Sequence, residues 1–163
     1  MARPNPIRSI MEAPLPSLSY QKRLGFRPGP SDVIYAYNII NRFCFDNQLR
    51  PPELSMGRVR KAWGYCLWQD YETAPGSNCT IRIMDKWFCP HWFLNTLAHE
   101  MVHQWQWDIH RWERYRDGFE TDLLGSHGPS FFAWRERFQH YGLHLKSFHR
   151  MRKWFKYQDF TRC

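Results

Sequence analysis

At 163 residues and 43% hydrophobic content, the chain is long enough for one domain whose core needs no disulfide scaffold. A formal net charge of +8 with a mean hydropathy of −0.67 excludes a membrane-embedded protein, and no apolar run reaches spanning length. The charge is uneven: residues 1–30 carry +4, residues 31–134 carry −2 and residues 135–163 carry +6. Basic ends of this kind draw polyanions by counterion release, so nucleic acid is the expected partner, with solvated tails as the plainer account.

The first 30 residues hold six of the eleven prolines and read as an extended basic arm. Arg3 and Arg8 are followed by prolines rather than by the apolar stretch of a signal peptide. The five cysteines are odd in number and contain no Cys-x-x-Cys, which speaks against a zinc ribbon or a complete disulfide framework and favours a reducing, cytoplasmic setting (a host cytoplasm for a viral protein). Ser31 is the expected N-cap of a first helix that carries Ile34, Tyr37, Ile40, Asn41 and Cys44 and ends near Asn47. After Pro51-Pro52, strand character is found in 54–59, 62–69 and 80–84, so a small antiparallel sheet is predicted. A second helix is predicted from Pro90 to Asp108. Residues 109–126 are charged and aromatic and fit a loop or short helix. Another helix opens at Gly128-Pro129 and stops at Gly142.

The second helix carries the pattern His99-Glu100-Met101-Val102-His103, which places two imidazoles four residues apart on one helical face, as a shared metal ion requires. Leu94, Leu97, Ala98, Met101 and Trp105 form an apolar stripe that leaves His99 and His103 on a neighbouring face. A catalytic zinc usually takes three protein ligands, so a third is expected downstream. The metzincin spacing puts it at Ile109, which cannot ligate, and His110 is off by one. Glu113 and Glu120 would serve in a gluzincin arrangement. His127 is favoured, because Gly125-Ser126-His127-Gly128-Pro129 permits close backbone approach and starts a helix immediately behind the imidazole.

The segments 94–103 and His127-Gly128-Pro129-Ser130-Phe131 together resemble the SprT-like zinc metalloprotease family, which pairs a His-Glu-Met-x-His helix with a later His-Gly-x-x-Phe. The similarity extends upstream through Phe45-Asp46-Asn47-Gln48-Leu49, Ala62-Trp63-Gly64-Tyr65-Cys66 and Thr80-Ile81-Arg82-Ile83, and covers roughly residues 32–142. It implies an α+β fold with a minimal zincin-like core over 31–142, one Zn2+ held by His99, His103 and His127, and Glu100 as catalytic base. Neither the bacterial four-cysteine ribbon nor the partner-binding tails of the family's Spartan branch, which digests proteins crosslinked to DNA, is visible. Tyr115, His110, Tyr141 and Arg135 are candidate donors to a developing oxyanion.

The expected activity is that of a zinc endopeptidase, on DNA-bound or DNA-crosslinked proteins or on a dedicated protein substrate without DNA. A non-catalytic nucleic-acid-binding protein with structural zinc is the third reading, and Glu100 argues against it, because a structural site has no need of a base beside its ligands. In the stretch 143–163, expected to be helical, Arg150, Arg152, Lys153 and Lys156 would meet phosphates while Trp154 offers a stacking face, preferring single strands. The bland counterpart is a docked helix, since Phe148, Met151 and Phe155 recur at helical spacing. Trp63, Trp87, Trp92 and Trp105 are expected in the core, and His91, His140, His144 and His149 outside the metal site.

Overall fold

The structure is a computed structural model that describes residues 7, 26–69, 76–110 and 127–147. The expected nucleic-acid residues Arg150, Arg152, Lys153, Trp154 and Lys156, the alternative ligands Glu113 and Glu120, and Tyr115 all lie outside the described residues.

Helix α1 runs Pro30–Cys44. Its cap is Gly29 rather than Ser31, because Pro30 occupies the first turn, where no N–H is needed, and the Asp32 carboxylate accepts the Gly29 N–H at 2.7 Å. Val33, Ala36, Tyr37, Ile40, Asn41 and Cys44 form the buried face. The helix stops three residues short of Asn47 because Asp46 and Asn47 adopt φ of 54° and 58°, left-handed values that Asx residues tolerate. The Asn41 amide secures this turn, donating to Leu49 O at 2.9 Å and accepting from Leu49 N–H at 3.1 Å.

Strands β1 (Glu53–Met56), β2 (Gly64–Trp68) and β3 (Cys79–Ile83) form a sheet of order β1-β3-β2. The predicted all-antiparallel arrangement is corrected here: β2 pairs antiparallel to β3, but β1 pairs parallel to it, Glu53 opposite Thr80 and Met56 opposite Ile83. The cause is the connection from β1 to β2, which wraps the end of β3 instead of turning back as a hairpin. Gly57 N–H donates to Ile83 O at 3.0 Å, Val59 N–H meets Met84 Sδ at 3.1 Å, and Met84 N–H donates to Trp63 O at 2.9 Å. Two positive φ values, at Gly57 and Lys61, let the chain make that bend. Strand β2 is thereby delivered to the far edge, and β3, with Cys79, Ile81 and Ile83 buried, becomes the centre.

Helix α2 (Pro90–Trp105) packs on β2 and β3 on one side and meets α1 on another, so it is buried almost all round. Leu94, Leu97, Ala98 and Met101 are fully buried, as their stripe predicts. Below them Trp87 and Trp92 are fully buried, and Trp63 lies 5.5 and 4.7 Å from their rings. The α-helix ends at Trp105 and continues as one π-helical turn, Gln106–His110, in place of the regular helix expected to Asp108. Asp108 is tethered by Ser77 Oγ and by Gln104 Nε2, the latter at 3.1 Å.

The helix predicted after Gly128 is two pieces, α3 (Pro129–Phe132) and α4 (Arg135–His140), broken by a turn at Ala133-Trp134. Gly142 ends α4 as predicted: at φ 84° it lets Leu143 N–H reach Phe138 O at 2.9 Å while its own N–H reaches Gln139 O at 3.0 Å. The following residues lie along α2, with Leu143 and Leu145 buried and His144 N–H donating to Asn95 Oδ1 at 2.8 Å. Earlier in the chain, Ile7 is buried in the same core, and Phe26 exchanges backbone bonds with Trp87 at 2.9 and 2.8 Å.

Candidate metal centre

The i, i+4 spacing on α2 carries His99 and His103 to the same side, and the turn before α3 brings His127 against them. The three Nε2 atoms form a near-equilateral triangle: 3.1 Å between His99 and His103, 3.2 Å between His103 and His127, and 3.1 Å between His127 and His99. Among the described residues these three form the cluster able to hold a metal ion. Phe131, fully buried, closes the back of the site with its ring 4.8, 5.0 and 4.7 Å from the three imidazoles.

Protonation makes this triangle a demanding one. Lys146 O can only accept, so its 2.8 Å contact with His99 Nδ1 fixes the proton there and leaves the Nε2 lone pair facing inward. Gln106 Oε1 does the same at 2.8 Å from His103 Nδ1. Two lone pairs 3.1 Å apart repel each other unless a cation sits between them. A tetrahedral zinc with Zn–N of about 2.0–2.1 Å would space its nitrogens by roughly 3.3 Å, close to what is observed. Burial also holds His103 neutral, its pKa lowered to about 4, and pushes His127 in the same direction. Neutral imidazole is the form a metal needs. The donor set therefore fits zinc.

Glu100 is the next residue round α2, about 100° from His99, and is 5% exposed. Burial raises its pKa to about 8, against a backbone hydrogen bond from Cys66 that lowers it. Strand β2 comes this close because residue 64 is glycine: a Cβ there would stand 3.2 Å from Glu100 Cγ and Oε1 and from Thr96 Cγ2. Of the expected oxyanion donors, three lie among the described residues, each against a different aromatic ring. His110 stacks on Trp105 at 4.9 Å, the Arg135 guanidinium lies 4.3 Å over Phe132, and Tyr141 meets Phe43 edge-on at 5.8 Å. His91 and His144 face each other near the start of α2, with ring centroids 5.5 Å apart, and are not in the metal cluster.

The three histidines expected from the sequence come together in the structure, with Glu100 buried on the same helix as two of them, while the groups behind them were not anticipated. Gly64 was detectable as a glycine inside a strand. Gln106 could have been found from its i, i+3 relation to His103. The Lys146 carbonyl carried no signal, because any residue supplies one.

Three convergent imidazoles, two of them on the helix that also carries a buried carboxylate, make a candidate metal site in a small α+β domain. The family model described as SprT-like family matches residues 35–150, and the chain belongs to that family, which points to a metalloprotease-type role. No curated protein and no solved structure matches the chain. None of the helices among the described residues is long and apolar enough to cross a membrane.

Proposed function

We propose that this chain is a zinc endopeptidase in which His99, His103 and His127 hold one Zn2+ and Glu100 is the catalytic base. The supporting observation is the closed triangle of Nε2 atoms at 3.1–3.2 Å beside a carboxylate that is nearly sealed from solvent. Zinc, when bound, supplies a Lewis acid that polarises a carbonyl and lowers the pKa of water toward neutrality. Glu100 takes the proton of the attacking water and passes it to the leaving amine. A dication beside Glu100 favours its ionised form, opposing the burial that raises its pKa. The site's apolar back wall, Phe131, keeps bulk water from the far side of the ligands.

The basic ends support substrates that are bound or crosslinked to DNA, in preference to a dedicated substrate cleaved without DNA. They lie at +4 and +6 on either side of a −2 middle, so polyanion attraction is concentrated toward the two ends of the chain. Both points are tested by digesting casein or histone with and without single-stranded DNA. Glu100→Gln should keep zinc and fold yet lose at least ~10²-fold in rate, since an amide cannot accept the water's proton. Wild-type turnover in that variant would overturn the mechanism. Equal rates with and without DNA would select the DNA-independent substrate.

A further inference from the structure

Behind His103 stands a side chain, where Nδ1 of His99 meets a backbone carbonyl. Gln106 is 1% exposed and spans from the metal helix to the loop of the third ligand: Oε1 lies 2.8 Å from His103 Nδ1, and Nε2 donates to Ser130 Oγ at 2.8 Å. Ser130, itself 8% exposed, is three residues past His127 and in the first turn of α3. One amide thus touches both pieces of chain that supply ligands. Its position follows from helix geometry, since residues i and i+3 share a face, and from the change to a π-helical turn that begins at Gln106.

The orientation of that amide matters for ligation. Reversed, its NH2 would donate to His103 Nδ1 and force the ring proton onto Nε2, in the centre of the triangle, where it would block metal binding. The contact with Ser130 anchors the other end of the amide: with Nε2 donating to the hydroxyl, Oε1 is the end left to accept from His103 Nδ1–H. His99 needs no such device, as a carbonyl cannot be reversed into a donor. The geometry points to Gln106 as a positioning residue that holds His103 in its metal-binding tautomer and ties the His127 loop to the metal helix through Ser130. This rests on the zinc reading above and adds to it the group that preassembles the centre.

Metal affinity and the spectrum of the Co2+-substituted protein provide the test, with near-ultraviolet circular dichroism reporting the fold. Outer-sphere partners of metal-bound histidines are typically worth ~10–100-fold in affinity. Gln106→Leu is expected to weaken Zn2+ and Co2+ binding by about that factor and to alter the Co2+ visible bands, while Gln106→Glu, which keeps an acceptor at Nδ1, recovers most of the loss. Ser130→Ala leaves Gln106 in place and is expected to show a smaller but measurable weakening. Wild-type affinity in Gln106→Leu, or equal losses in Gln106→Leu and Gln106→Glu with native dichroism in both, overturns the assignment. Should Gln106→Leu fail to fold, Ser130→Ala decides: weakened binding with native dichroism upholds the role, and unchanged binding ends it. Failure of the wild type to bind either metal is a separate result that removes the zinc reading itself.

Discussion

Gln104 and Gln106 lie two residues apart at the end of α2, both essentially without exposure, yet their hydrogen bonds run to different places. Gln104 accepts from Tyr37 Oη at 3.0 Å and donates to Arg50 O at 2.7 Å and Asp108 at 3.1 Å. It joins α1, the approach to β1 and the π-helical turn, and Asp108 carries the network on to Ser77 and Cys79. Every group reached in this way belongs to the scaffold. Gln106 instead reaches a ring nitrogen of His103, whose other nitrogen faces His99 and His127. A buried, satisfied amide is therefore not a sign of function by itself; what distinguishes the two is whether the network ends on a group with a task left to perform.

The sharpest way to break this comparison is Gln104→Leu. The substitution strips partners from Arg50 O and Asp108 and one of the two acceptors from Tyr37, so a stability loss on the order of 2–3 kcal/mol is expected by chemical denaturation. Metal affinity of the folded fraction should be unchanged. If Gln104→Leu weakens metal binding as much as Gln106→Leu does, the two networks are one and the distinction fails.

A second test concerns a histidine on the scaffold side. His91 is held neutral by burial, with added pressure from His144 and Lys146 and a counteracting bond to the Gly142 backbone, and its pKa falls to about 4. Unfolded, it titrates near its ordinary value of ~6.5. Between these values the unfolded chain binds the proton and the folded one does not, so this group makes stability fall as pH drops from about 6.5 to about 4. The slope can approach but not exceed ~1.4 kcal/mol per pH unit for one proton. His91→Phe should flatten the stability profile in that window. An unchanged slope relative to wild type would show that His91 is not part of the acid sensitivity.

The same contrast explains what could be read in the sequence. The histidine pair and Glu100 were legible because a shared metal ion on a helix would impose that spacing, and His127 because its flanking glycine and proline restrict the backbone. The buried stripe of α2 was legible from its period. Strand direction was not, because pattern identifies a strand but not its neighbour; the parallel placement of β1 depends on the loop that rounds the end of β3. The π-helical turn escaped for a similar reason, since the regular period runs on past Trp105 while Asp108 is anchored by distant Ser77. Capping of α1 was displaced by two residues because proline competes with serine for the start, and the Asp32 carboxylate settles the outcome.

The smallest expected effect comes from the pair Arg137–Asp46, which links α4 to the turn after α1. Arg137 also reaches Phe43 O at 3.4 Å, so the guanidinium spans the end of α1 and the loop beyond it. The hydrogen bond and charge of Arg137 hold the Asp46 carboxyl below its ordinary value. The folded-state pKa is depressed, so the stabilisation is fully present above the unfolded value near ~4 and is lost as pH falls through the folded value. Both side chains are well exposed, at 37% and 58%, which screens the interaction. Asp46→Ala should therefore cost little at neutral pH and still less once pH has fallen through the folded value, and the difference should shrink in added salt. The aspartate also sits at φ 54°, which alanine adopts less readily, so Arg137→Met is the cleaner partner variant. If Arg137→Met and Asp46→Ala lose stability additively in a double-mutant cycle, the pair contributes no coupling and the closure of α4 on α1 rests on Phe45, whose ring packs at 4.4 Å from Trp134 and 5.7 Å from Phe138.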